Sequence, residues 1–300
     1  MSPIDPKADH RRSRRARGNL TFPSSQTGGP CFRHVRGNLT FPSSQAKDPC
    51  FRHARGNLTF PSSQDRLIVA LDAPTLEAAE AWLLELKGVV HYYKVGLELF
   101  AAHGWKAVNL VKHYGGKVFL DLKLHDIPNT VSRTLASICE HEVAMVNVHA
   151  LGGFEMMKAA RAAVEKYSGV NARRPRLIAV TVLTNHDQKT LSHELRVRGR
   201  VKDEVLHLAG LAQKAGLDGI VCSPEETAWV RKKFGRNFLV VTPGIRPASA
   251  DRGDQKRIFT PEDAVRAGSD YIVVGRPITQ AAHPKEAALR ILEAITSSEC

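Results

Sequence analysis

The sequence has few cysteines, and none are spaced to bond or to bind a metal. There are five in 300 residues, an odd number, with no CxxC pair and no zinc-type spacing. That excludes a disulfide scaffold and suits a reducing compartment, so the expected location is cytoplasmic. No apolar run approaches the roughly 18 residues needed to span a bilayer, and no apolar signal core opens the chain, so no membrane partner is expected. Hydrophobic residues at 43% and charged residues at 24% exclude wholesale disorder.

Acidic residues are in short supply, and the net charge is +13. The excess is uneven. Residues 1–64 hold 11 Lys and Arg against 3 Asp and Glu, while residues 65–300 hold 32 against 27. The first 64 residues also carry an internal repeat. RGNLTFPSSQ stands at 17–26, 36–45 and 55–64, a period of 19, and PCFRH recurs at 30–34 and 49–53. The copies are identical even at solvent-type positions such as Ser24, Ser43 and Ser62, and each unit has little apolar content. Packed repeats keep an apolar pattern while their surfaces drift. A disordered basic extension over 1–64 is therefore expected, followed by one domain over 65–300. The Arg11–Arg15 run reads as a solvated tail rather than a nucleic-acid arm. The Asn-Leu-Thr sequons at Asn19, Asn38 and Asn57 would matter only in a secreted protein.

From Asp65 the texture changes. Leu67–Leu71 is a continuous apolar run, the pattern of a strand buried on both faces. Leu76, Ala79, Leu83 and Leu86 then recur at helical spacing. Further strands are predicted at Tyr92–Val95, Val118–Leu122, Ala144–His149, Leu177–Leu183, Gly219–Cys222, Phe238–Thr242 and Tyr271–Val274, with helical stretches between them. No GxGxxG follows the first strand. Eight strands alternating with helices over about 235 residues predict an α/β fold, a (β/α)8 TIM barrel, rather than a doubly wound sheet.

Such barrels place their chemistry at the C-terminal ends of the strands. Asp72 ends the first predicted strand, Lys94 lies in the second, Asp121 and Lys123 end the third, and Asp126 follows. His149 and Thr184 close the fourth and fifth. Buried ion pairs rarely stabilise a fold more than apolar packing does, so alternating Asp and Lys at three strand ends point to function. Strand alternation turns Asp121 and Lys123 to the same side. A lysine among carboxylates stays protonated, which suits it to donate a proton to a carbanion rather than to attack a carbonyl. TPGIRP at 242–247, Gly253-Asp254-Gln255 and Gly275-Arg276-Pro277 follow strands seven and eight, where barrels often grip phosphate.

At these residues the body resembles the orotidine 5′-monophosphate decarboxylases, from about Asp65 to about Ile295. The motifs are VALD (69–72), YKVGLELF (93–100), FLDLKLHDIPNT (119–130), MVNVHALGG (145–153), IAVTVLTN (178–185), GLDGIVCS (216–223), VTPGIRP (241–247), GDQKRI (253–258) and VVGRPIT (273–279). The resemblance implies decarboxylation of orotidine 5′-monophosphate to UMP, with no cofactor and no metal ion. Lys123 would protonate C6 of the pyrimidine, and Asp121 would lie against the substrate carboxylate. Lys94 and Asp126 would complete the charge network. Asp72 would bind the ribose, Thr184 the pyrimidine, and Gln255, Gly275 and Arg276 the phosphate, with Arg246 in a closing loop. The resemblance also implies a homodimer in which Asp126, Ile127 and Thr130 act in the partner's site. The nearest alternative is a Mg-dependent sugar-phosphate decarboxylase or aldol-type synthase, which shares only DxKxxD.

Overall fold

The computed structural model describes residues 61–168, 174–247 and 259–298. The chain divides into two units, Met1–Ala54 and Arg55–Cys300. The first unit, with the Arg11–Arg15 run, lies outside the described residues, as do all three sequons and Gln255. The second unit is a barrel.

Its first element comes from the end of the last repeat. Helix α1 (Ser63–Arg66) is a single turn, and the Ser62 side chain accepts the Asp65 N–H at 3.3 Å. Little structure was expected before residue 64. The turn forms because a serine stands where a helix start wants a capping oxygen. Asp65 also anchors it, accepting from Lys117 at 2.9 Å and lying 3.3 Å from His91.

The barrel alternates as the sequence predicts. β1 (Leu67–Ala70), α2 (Leu76–Leu86), β2 (Tyr92–Gly96), α3 (Leu97–His103), α4 (Trp105–His113), β3 (Lys117–Leu124), α5 (Pro128–Cys139) and β4 (Met145–His149) make the first half. α6 (Gly153–Tyr167), β5 (Arg176–Val180), α7 (Val201–Lys214), β6 (Gly219–Val221), α8 (Pro224–Phe234), β7 (Leu239–Thr242), α9 (Pro261–Arg266), β8 (Tyr271–Val274), α10 (Arg276–Thr279) and α11 (Pro284–Ser297) complete it. All neighbours pair in parallel, and β8 closes on β1. Proline opens α5, α8, α9 and α11 at a position whose N–H has no helical partner to lose. Among the described residues no helix is long and apolar enough to cross a membrane.

Two-residue alternation sorts the core. Ile68, Ala70, Tyr92, Phe119, Met145, Ile178, Leu239, Val241, Tyr271 and Val273 fill the barrel, while Leu67, Val69, Val95, Leu120 and Val146 face the helices. At the floor of the barrel Tyr92 meets Tyr271 edge-on at 5.7 Å, and Arg176 donates to the Tyr271 hydroxyl. One step up, the inward positions become Asp72, Lys94, Asp121, Asn147 and Gly275. The parity that packs the floor therefore delivers polar groups to the mouth.

Candidate active site

Three of these side chains, Asp72, Lys94 and Asp121, form a continuous charged array with Lys123. Lys94 Nζ donates to Asp72 Oδ1 at 3.0 Å and lies 3.5 Å from Asp121 Oδ2. Lys123 Nζ donates to the other oxygen of Asp121 at 2.8 Å. Asp121 is buried, and Lys94 nearly so, whereas the Asp72 side chain is half exposed at the rim. Burial is the largest influence on Asp121 and pushes its carboxyl up. The Lys94 and Lys123 charges, with hydrogen bonds from Lys123 and Asn147, outweigh it and hold the group below the usual carboxylate range. Burial likewise pushes Lys94 down, but the Asp121 and Asp72 charges hold it above the usual lysine value. Both groups stay ionised across the neutral range.

Lys123 arrives by a different route from the expected one. Pairing of β3 with β4 slips between Leu120 and Leu124, and Lys123 sits at φ 50°, the left-handed region. That conformation costs a non-glycine residue about 1–2 kcal/mol. Simple strand alternation thus fails here, although Lys123 and Asp121 do converge. The strain is held by packing and by Asn147, whose Oδ1 accepts the Lys123 N–H at 2.8 Å.

Asp126 stands apart from the array. Its carboxylate accepts the Ile127 N–H at 2.6 Å, and it makes no ion pair with another described residue. Asp126, Ile127 and Thr130 are all exposed. Lys123, His125, Asp126 and Thr130 line a hollow of about 310 Å³ between the end of β3 and α5. A cavity of about 730 Å³ against α9, α10 and α11 lies elsewhere and contains none of the predicted site residues.

Thr184 was expected to close the fifth strand. β5 ends at Val180, and Thr184 lies four residues on, half-buried in a turn. Apolar Val182 and Leu183 had made the strand look longer than its ladder. Arg246 is buried in the loop after β7, its N–H bonded to the Phe259 carbonyl at 3.0 Å. Gly275 follows β8, and a Cβ there would lie 3.9 Å from Asp72 Oδ2, so the ends of strands one and eight meet. Arg276 follows, exposed at the rim.

Two further contributors are not among the residues that the sequence singles out. Asn147, wholly buried in β4, donates to Asp121 Oδ1 at 2.6 Å. Its signal was an amide inside the apolar run MVNVH. Gly96, paired with Asp121 in the β2–β3 register, leaves the space in which the Lys94 ammonium lies. Beside Lys123, the His149 ring stacks on His125 at 5.5 Å. Burial first, then His125 and Lys123, lower His149 to about 4, so it is neutral at pH 7. Among the described residues no cluster of three or more His, Cys, Asp or Glu is arranged to hold a metal ion.

A closed barrel with an Asp–Lys–Asp–Lys array in its C-terminal mouth defines a (β/α)8-barrel enzyme of the DxKxxD kind. The family model described as orotidine 5′-phosphate decarboxylase / HUMPS matches residues 65–291. An orotidine 5′-phosphate decarboxylase of Moorella thermoacetica is 49% identical over 228 residues, covering 76% of this chain and 90% of the relative. One from Halorhodospira halophila is 50% identical over 233 residues, covering 78% and 97%. The crystal structure of orotidine 5′-phosphate decarboxylase from Lactobacillus acidophilus superposes with a TM-score of 0.69 at 39% identity, covering 77% of this chain and 99% of that one. The chain belongs to the orotidine 5′-phosphate decarboxylase / HUMPS family.

Proposed function

We propose that Lys123 is the proton donor by which this chain converts orotidine 5′-monophosphate to UMP, without a cofactor or metal ion. Decarboxylation of orotidine 5′-monophosphate, in pyrimidine synthesis, is the activity that goes with the family and with its relatives here. The C6–carboxylate bond breaks, CO2 leaves, and the electron pair stays on C6 in the plane of the ring, where resonance helps little. A fixed ammonium stabilises that charge without reorganising as it forms. Lys123 then passes its proton to C6 and is recharged from water. Asp121, against the substrate carboxylate, adds ground-state destabilisation.

The observation that carries this reading is the single array Asp72–Lys94–Asp121–Lys123. Lys94 neutralises one side of Asp121 and leaves Lys123 to face the substrate from the other. Asp72 holds the ribose hydroxyls and Thr184 the pyrimidine. Gln255, Gly275 and Arg276 bind the phosphate, and Arg246 belongs to the loop that closes over it. Binding energy from the phosphate is spent on assembling the site around C6.

The working unit is a cytoplasmic homodimer of the 65–300 domain, with Asp126, Ile127 and Thr130 serving the partner's site. Asp126 lies outside its own chain's array, and Ile127 is 66% exposed. Leu97 and Leu151, which follow the neighbouring strands β2 and β4, are 57% and 48% exposed, further apolar side chains for a second copy to cover. The basic extension takes no part in the chemistry, and nucleic acid is not a partner.

The test is the ultraviolet absorbance change as orotidine 5′-monophosphate becomes UMP. Wild type is assayed with and without EDTA, and with and without residues 1–60, beside Lys123→Ala. Turnover should survive both EDTA and truncation. Lys123→Ala should lose at least about 10²–10³ in rate and still bind UMP. A rate within tenfold of wild type would remove Lys123 from this role. Loss in EDTA would favour the Mg-dependent alternative.

A further inference from the structure

We infer that Asn147 is a positioning residue for the reaction, its amide clamping the Asp121 carboxylate and the Lys123 backbone together across the break between β3 and β4. The inference rests on the roles given above to Lys123 and Asp121.

Leu120 stands opposite Val146, and Leu124 opposite Val148. Three residues of β3, Asp121 to Lys123, therefore face the single residue Asn147. A regular ladder cannot satisfy three residues with one. The Asn147 side chain supplies what the ladder lacks. Its Oδ1 accepts the Lys123 N–H at 2.8 Å, and its Nδ2 donates to Asp121 Oδ1 at 2.6 Å. The same carboxylate oxygen accepts the Lys123 ammonium at 2.8 Å. The two ends of Lys123 are thus tied to one oxygen of Asp121, the ammonium directly and the backbone through the amide.

Chemistry narrows the residue that fits. The position needs an acceptor toward a backbone N–H and a donor toward a carboxylate, both on one short side chain. Leucine has neither. An ionised aspartate keeps the acceptor, loses the donor and repels Asp121. A protonated aspartic acid regains the donor. Asparagine does both jobs without charge, so the alternation of Lys94, Asp121 and Lys123 is left intact. Asn147 has no exposed surface, so it acts through these neighbours and not on the ligand.

The experiment compares wild type, Lys123→Ala, Asn147→Leu and Asn147→Asp for kcat, KM, UMP affinity and melting temperature. If Lys123→Ala turns over like wild type, the reading of Lys123 has failed, and the inference falls with it. With that reading secured, Asn147→Leu should lose about 10- to 100-fold in kcat, the usual cost of removing a supporting partner. Its UMP affinity should stay within about threefold. Asn147→Asp is assayed from pH 8 down to pH 5.5, with Asp121, Lys123, Lys94 and His149 as the titratable neighbours. Its kcat relative to wild type should recover by about tenfold as the new carboxyl takes up a proton and regains its donor. A merely structural residue gives no such recovery. The inference is overturned by Asn147→Leu within twofold of wild-type kcat, or by an Asn147→Asp profile parallel to wild type. If Asn147→Leu does not fold, the Asn147→Asp profile decides. If neither folds, Asn147 serves folding alone and the inference is lost.

Discussion

The Lys94 ammonium lies 3.5 Å from the Asp121 carboxylate on the next strand, with both side chains almost wholly inside the barrel. Each holds the other in its charged form. Asp121 is kept below its ordinary value of 3.8, so it contributes stability above that pH and loses it as pH falls through the folded value. Lys94 is kept above its ordinary 10.5, so its contribution is present below that pH and is lost as pH rises through the folded value. The pair favours the fold across the whole span between.

Lys94→Met should therefore raise the pH at which the protein unfolds in acid, because Asp121 loses a cation and its carboxyl rises. The loss near neutrality should be roughly 1–3 kcal/mol, below the usual cost of breaking a buried pair, since Lys123 still holds Asp121. Melting temperatures from pH 3 to pH 7 measure this. An acid limb that superposes on wild type would show that Lys94 does not hold Asp121 ionised.

Gly96→Ala tests the same array by crowding. A Cβ at Gly96 would lie 2.7 Å from Lys94 Nζ and 3.1 Å from Asp72 Oδ1. The ammonium must move off its carboxylates while the strand keeps its ladder. A misplacement of about 1 Å costs up to about 100-fold in rate. The expected outcome is a large fall in kcat with little change in melting temperature. Wild-type kcat in a folded variant would mean that Lys94 tolerates displacement.

These relationships differ in how far the sequence reveals them. All eight strands were legible because buried parallel strands read as unbroken apolar runs. Asp72, Lys94 and Asp121 were legible because charge is out of place at the end of such a run. The path of Lys123 was not, because a slip in pairing depends on the neighbouring strand and leaves no local mark. Asn147 was hidden because a lone amide in an apolar strand also suits an ordinary satisfied core residue. Only its two partners, 24 and 26 residues away, give it a role. Gly96 was hidden because its use is the space that it leaves.

Arg276→Ala should discriminate between substrates. Arg276 is exposed where α10 begins, just after β8, and a guanidinium is a planar fork suited to a dianion, which is the role proposed for it. Orotidine 5′-monophosphate should suffer mainly in KM. Orotidine without its phosphate should be turned over almost equally by variant and wild type. Equal damage to both substrates would take Arg276 out of the phosphate site.

The proposed partner contribution of Asp126 has a test that needs two inactive proteins. Lys123→Ala and Asp126→Ala chains should each be nearly inactive alone. Mixed in equal amounts and allowed to exchange, half the dimers become mixed. In a mixed dimer one site takes Lys123 from the Asp126→Ala chain and Asp126 from the Lys123→Ala chain, so it is intact. The other site lacks both groups. Activity should climb toward about a quarter of wild type, one intact site in half the dimers, provided the sites act independently. If Asp126 serves its own barrel instead, every site in the mixture lacks one group or the other and no activity returns. A mass measurement confirming exchange turns a null result into a decision.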